Sequence, residues 1–213
     1  MSIFEKLFPW QKNLVNKFKD KPSYGLFLDM GLGKTPISLS FAEVNKCEKV
    51  IVITLNGKVS ETIDTDGSWY WWAAKSDMNW VQFRKKENSD KYDVDENEIL
   101  ITNYESLFSR SKAKTAKCQL NDFLMSFIQH CKGKNVAVIV DESHKVKSAG
   151  SQQSMAVDMI RKLLTKHAKS LKLYLLSGTP FTTGSLRAIC YERLVLESAC
   201  RAFPPYSFVA VDH

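Results

Sequence analysis

No stretch of this 213-residue chain approaches the roughly 18 consecutive apolar residues that a membrane-spanning helix requires. Its opening, MSIFEKLFPWQ, lacks the apolar run of a secretory signal. These two absences predict a cytoplasmic protein with no membrane partner. The five cysteines (Cys47, Cys118, Cys131, Cys190, Cys200) form no C-x-x-C pair and the four histidines fall at no ligand spacing. That excludes a zinc framework and predicts reduced thiols. There is no internal repeat and no low-complexity segment. Acid is in short supply, with 23 Asp and Glu against 30 Lys and Arg, a net charge of +7. Such a balance fits a polyanionic partner such as nucleic acid, or equally a lysine-rich solvated surface. The length and the 44% hydrophobic content suffice for one α/β domain with a full core.

What is present is organised around Tyr24 to Ala42, YGLFLDMGLGKTPISLSFA. The pattern predicts a buried strand (Leu26, Phe27, Leu28), a glycine loop and a helix. Gly31 and Gly33 bracket Leu32, and Lys34 and Thr35 follow at once. A loop of small residues can turn successive backbone N–H groups, from Met30 onward, towards one anion. The helix start adds its dipole and free N–H groups. Lys34 is then placed for the β- and γ-phosphates of ATP and the Thr35 hydroxyl for Mg²⁺. Pro36 suits a first helical turn. The strict G-x-x-x-x-G-K-[ST] pattern is not met, because Leu28 stands at its first glycine.

Upstream, Trp10, Leu14, Val15 and Phe18 share one predicted helix face, with Gln11 at its start. The Gln11 amide suits an adenine edge, although a surface glutamine reads the same way. Val50 to Thr54 is a buried strand followed by Asn56, Gly57 and Lys58. Ligands collect at such strand ends, so Thr54, Asn56 and Lys58 are candidates for a nucleic-acid backbone, or a plain turn. Residues 64–97 concentrate Trp69, Tyr70, Trp71, Trp72, Trp80 and Phe83. These rings read as an insertion with its own satellite core, or as a base-stacking platform. Glu98 to Tyr104 forms the next strand, ending in Thr102 and Asn103. An amphipathic helix then carries Leu120, Phe123, Leu124, Phe127, Ile128 and Cys131. Val136 to Val140 runs straight into Asp141, Glu142, Ser143 and His144. Two carboxylates at the end of an apolar strand are costly unless they meet cations. Asp141 can hold Mg²⁺, and Glu142 can polarise an attacking water. A helix over 152–168 follows, with Met155, Ile160, Leu163 and Leu164 as its apolar side. A last strand ends in Ser177-Gly178-Thr179-Pro180.

Taken in series, FPWQ, DMGLGKT, VIVIT, ILITNYESL, VDESH and LSGTP resemble the first RecA-like lobe of superfamily-two helicases. DMGLGKT and SGTP resemble its Swi/Snf-type translocase branch in particular. The resemblance runs from about Phe8 to Thr183. It implies a P-loop NTPase fold: an α/β three-layer sandwich with a mostly parallel sheet and helices on both faces. It implies that Gln11 contacts adenine, Lys34 and Thr35 bind phosphate and Mg²⁺, Asp141 binds Mg²⁺, and Glu142 is the catalytic carboxylate. His144, Ser177 and Thr179 would couple hydrolysis to movement on nucleic acid, with duplex DNA rather than RNA the usual partner.

The family has two lobes with ATP between them. Here 184–213 does not match the family's continuation, and reads as an unmatched tail holding one helix and a Pro-Pro turn, either truncated, frame-shifted or a minimal variant. The division expected is thus a lobe over 1–183 and a tail, with a second lobe supplied by another chain if at all. Two functions follow: the ATP-binding lobe of a nucleic-acid-dependent ATPase with weak hydrolysis alone, or a non-catalytic nucleotide- or DNA-binding module that regulates a full-length partner. A P-loop kinase leaves VDESH and SGTP without a role.

Overall fold

The computed structural model describes residues 2–83, 98–109, 119–146, 151–178 and 207–210. The chain opens with helix α1 (Pro9–Phe18), strand β1 (Ser23–Phe27), helix α2 (Lys34–Val44) and strand β2 (Lys49–Thr54). Two short helices follow, α3 (Asn56–Val59) and α4 (Trp69–Ala73), then strands β3 (Trp80–Phe83) and β4 (Ile99–Asn103). A two-residue antiparallel pair, β5 (Phe108–Ser109) with β6 (Gln119–Leu120), leads into helix α5 (Asp122–His130) and strand β7 (Asn135–Val140). Helix α6 (Gln152–His167) and strands β8 (Ser170–Ser177) and β9 (Ser207–Ala210) complete it.

One seven-stranded sheet runs in the order β3-β4-β2-β7-β8-β1-β9, and every pairing in it is parallel. Parallel strands are buried on both faces, which is why they read as continuous apolar runs. Their side chains divide by alternation. Val50, Val52, Ala137 and Ile139 face one core layer with Leu14, Val15, Ile37 and Phe41 from α1 and α2. Ile51, Ile53, Val138 and Val140 face the other, with Leu124, Phe127, Ile160 and Leu164 from α5 and α6. The result is the three-layer α/β sandwich that the sequence resemblance implies. Because all strands run the same way, the ends of β1, β2, β4, β7 and β8 lie along one edge.

Three sequence expectations need correction. Trp10 does not share the buried face of α1; it is 40% exposed, and Gln11 takes the inward position beside Leu14, Val15 and Phe18. In α6 the inward residues include Ala156 and Val157, and Met155 points out. The aromatic region is no satellite. Trp69 and Tyr70 belong to the α1/α2 core layer, Phe83 to the other layer, and β3 is an edge strand of the sheet. Phe83 stacks on Phe123 with centroids 4.5 Å apart. The mixed-charge run at 84–97 lies outside the described residues, as does 184–206. The backbone of 207–210 pairs with β1. Cys47 and Cys131 are buried free thiols, and burial pushes each up to about 12. No helix among the described residues is long and apolar enough to cross a membrane.

Candidate nucleotide site at the sheet edge

The loop between β1 and α2 turns on two glycines, Gly31 at φ +83° and Gly33 at φ +78°. Gly33 caps α2 in the left-handed region, and its carbonyl accepts the Ile37 N–H as the helix begins. Buried Gln11 braces this loop. Its Nε2 donates to the Leu32 carbonyl at 3.1 Å, and its Oε1 accepts the Phe8 N–H at 3.0 Å. The amide then retains one N–H and one lone pair. A Cβ on Gly33 would come to 2.5 Å from Gln11 Nε2, whereas one on Gly31 would meet nothing within 4 Å. Gly33→Ala is therefore expected to cost about 2–3 kcal/mol, left-handed strain plus a displaced brace. Gly31→Ala should cost only the strain, about 1 kcal/mol. Chemical denaturation of both variants checks this; equal losses would contradict it.

Lys34 lies in the first turn of α2, half-buried. Its Nζ donates to the carbonyls of Leu28 at 2.8 Å and Asp29 at 3.0 Å, so the ammonium sits inside the loop. Burial draws its pKa below the usual lysine range, while Asp141 and Glu142 push it back up. Gly178, after β8, approaches the same ammonium: a Cβ there would stand 3.5 Å from Lys34 Nζ. Thr35 is half-buried one residue on, and its carbonyl accepts the Ser38 hydroxyl at 2.9 Å. Met30 is 81% exposed at the loop's outer rim.

Asp141 follows β7 and is 2% exposed. Its N–H donates to Ile53 O at 2.8 Å, extending the β2–β7 ladder by one residue. Its Oδ2 accepts the Thr54 hydroxyl at 2.7 Å, Lys58 Nζ at 3.1 Å and Trp69 Nε1 at 3.4 Å. Its Oδ1 accepts the Glu142 N–H at 3.0 Å, and its carbonyl accepts the Tyr104 hydroxyl. Glu142 adopts φ +52°, an uncommon value for a residue with a Cβ. Its Oε2 lies 3.2 Å from His144 Nδ1, close enough for an ion pair but without hydrogen-bond alignment. Ser177 is fully buried at the end of β8, and Thr179 lies outside the described residues.

Lys34, Asp141, Glu142 and Gly178 thus converge. The residues expected to touch nucleic acid behave differently. Thr54 is fully buried on Asp141, and Thr102 is 1% exposed with its hydroxyl donating to Phe83 O at 3.0 Å. Neither presents a hydroxyl outward. Asn103 is buried and donates to Asn56 Oδ1 at 2.7 Å, leaving Asn56 on the exposed turn of α3. Lys58 is held by Asp141. Sequence reasoning missed Trp69 as a neighbour of Asp141, since 72 residues separate them.

The donor set suits a Mg-nucleotide. Among the described residues no three His, Cys, Asp or Glu side chains converge on one point. A divalent ion here would hold Asp141 and the Thr35 hydroxyl and take its other oxygens from phosphate and water, the usual habit of Mg²⁺. Asp141 Oδ2 already accepts an ammonium, Lys58 Nζ at 3.1 Å.

Residues 5–182 match the family described as Type III restriction enzyme, res subunit. The chain belongs to that family. Its described residues form the N-terminal lobe of the superfamily-two helicase architecture. The chain is similar to the helicase domain of Hef from Pyrococcus furiosus at 15% identity and TM-score 0.61, covering 96% of this chain and 38% of that one. It is similar to the SWI2/SNF2 ATPase core of Sulfolobus solfataricus, solved with dsDNA, at 17% identity and TM-score 0.51, covering 86% and 35%. It is also similar to the DUF1998 helicase MrfA, solved bound to DNA, at 12% identity and TM-score 0.64, covering 95% and 27%. The chain therefore spans about a third of the length of these structures. No curated protein matches it.

Proposed function

We propose that this chain is the Mg-ATP-binding lobe of a nucleic-acid-dependent ATPase, of the Swi/Snf-like translocase kind, with DNA as the polymer. The observation that carries this reading is the meeting of three sequence motifs at one ammonium. Lys34 of the glycine loop, the Asp141-Glu142 pair after β7 and Gly178 after β8 come together, although Asp141, Glu142 and Gly178 lie 107, 108 and 144 residues from Lys34 in sequence. In this reading residues 1–183 act as the lobe. Lys34 and the loop N–H groups bind phosphates. Thr35 and Asp141 would hold Mg²⁺, and the ion would supply charge neutralisation on the phosphates. Glu142 orients water, with His144 beside its carboxylate as the coupling residue. Gln11 offers its remaining N–H and lone pair to adenine while bracing the loop. Ser177 and Thr179 connect this site to the nucleic-acid track.

The net charge of +7 and the exposed turn at Asn56 and Gly57 support a backbone-directed contact. The chain is expected to bind duplex DNA weakly, losing at least about tenfold in affinity between 50 and 200 mM salt. Fluorescence anisotropy with labelled duplex and single-stranded competitor checks both points. Salt-independent binding, or a strong single-strand preference lost on Trp71→Ala or Trp72→Ala, would overturn the duplex reading in favour of stacking.

A further inference from the structure

Lys58 occupies a place that the function above does not explain. It sits on α3, directly after β2, and reaches Asp141 across 83 residues of sequence. The β2–β7 register makes this possible: Ile53 pairs with Val140, so the turns that follow the two strands lie side by side. The pair is asymmetric. The Asp141 side chain is 2% exposed and the Lys58 side chain 37%. A carboxylate buried to that degree needs a counter-charge. Lys34 is not its direct partner, because its ammonium is spent on the carbonyls of Leu28 and Asp29. Lys58 supplies the charge, while Thr54 and Trp69 fix the same oxygen from the buried side.

Asp141 Oδ2 is therefore claimed by an ammonium on a flexible, solvent-facing stem. Such a group can swing out without disturbing the core, unlike Thr54 or Trp69. We propose that Lys58 is a tethered counter-cation of Asp141. It is a positioning residue that keeps the carboxylate aimed when no divalent ion is bound, and that competes with the ion for Oδ2. This rests on the reading of Asp141 as the metal ligand. Its consequence is a site that discriminates against free divalent ions. Metal displaces Lys58 effectively only when nucleotide phosphates bring further oxygens to it.

The test uses the whole chain and Mn²⁺ alone as probe, with bound ion counted by electron paramagnetic resonance. Lys58→Gln keeps a donor but removes the charge, and should bind Mn²⁺ about tenfold more tightly than the parent, the scale of one close charge pair. Lys58→Arg should behave as the parent, and Asp141→Asn added to Lys58→Gln should abolish the gain. A merely structural Lys58 would move none of these. Equal or weaker Mn²⁺ binding by Lys58→Gln overturns the proposal. Should Lys58→Gln melt early, the melting shift on adding Mn²⁺ decides: a larger rise than in the parent supports the competition, and an equal rise overturns it. Fluorescent ATP separates this inference from the one beneath it. A gain in Mn²⁺ through Asp141 with no ATP binding in any variant leaves the competition standing and removes the ATPase reading. Mg-dependent ATP binding with no effect of Lys58→Gln on metal removes the competition alone.

Discussion

A polypeptide of these 213 residues, saturated with ATP, Mg²⁺ and duplex DNA, is expected to release phosphate far more slowly than about 1 s⁻¹, the lower end of ordinary enzyme turnover. In the proposed reading it has a phosphate loop, a metal carboxylate and a water-orienting carboxylate. Among the described residues, none brings a free guanidinium to the site. In P-loop enzymes such a group contributes about 10³–10⁵ in rate, roughly 4–7 kcal/mol of transition-state stabilisation. Arg161 is the one arginine among the described residues. It sits on α6 with Nε and a terminal nitrogen both bonded to Asp158, at 3.1 and 2.6 Å. In the proposed reading, water at the sheet edge would reach a bound γ-phosphate and weaken each electrostatic contact. Steady-state phosphate release measures the effect. Turnover near or above about 1 s⁻¹ that vanishes in Glu142→Gln would show that this lobe completes its own site, alone or by self-association.

Lys34→Ala is expected to weaken ATP binding by at least about 2 kcal/mol, some thirtyfold. The ammonium already stands inside the loop, held by two carbonyls that a phosphate oxygen would replace as its partner. It is half-buried, so the charge acts through less water than a surface lysine's would. Lys58 cannot substitute while it remains on Asp141. The fold should survive, because α2 is anchored by Ile37, Leu39 and Phe41 in the core rather than by its first residue. Titration with fluorescent ATP, alongside circular dichroism, checks both halves. Equal affinity in parent and variant would remove the phosphate-loop assignment.

Much of this was legible in the sequence because parallel strands are buried on both faces. Val50 to Ile53 and Val136 to Val140 could hardly be anything else, and their polar ends mark one edge of the sheet. The inward faces of helices were read less well. Trp10 and Met155 are large and apolar, which points them inward, but small or polar neighbours (Gln11, Ala156) take those inward positions. The tryptophan-rich region differs from its sequence expectation for a related reason. Density of aromatic rings suggested a separate unit, whereas a short edge strand and one helical turn suffice to place Trp69, Tyr70 and Phe83 in the main core. The partners of Asp141 were beyond reach without strand order. Thr54 and Lys58 follow one strand, Asp141 another, and only the adjacency of β2 and β7 joins them. Once that adjacency is known, a buried acid beside a lysine becomes the expected pair. Thr102 misled because a polar residue at a strand end can be turned inward to satisfy a neighbouring edge carbonyl, as it does with Phe83.

The central proposal is that the edge carrying Lys34 and Asp141 binds nucleotide through a divalent ion. The most direct measurement is a titration of the parent chain with fluorescent ATP in Mg²⁺ and again in EDTA, with Asp141→Asn measured beside it. Binding in Mg²⁺ that weakens in EDTA, with Asp141→Asn weakened in Mg²⁺ to the level the parent shows in EDTA, is the predicted result. Binding of equal strength in all of these conditions, or no binding by the parent in any of them, would contradict the account.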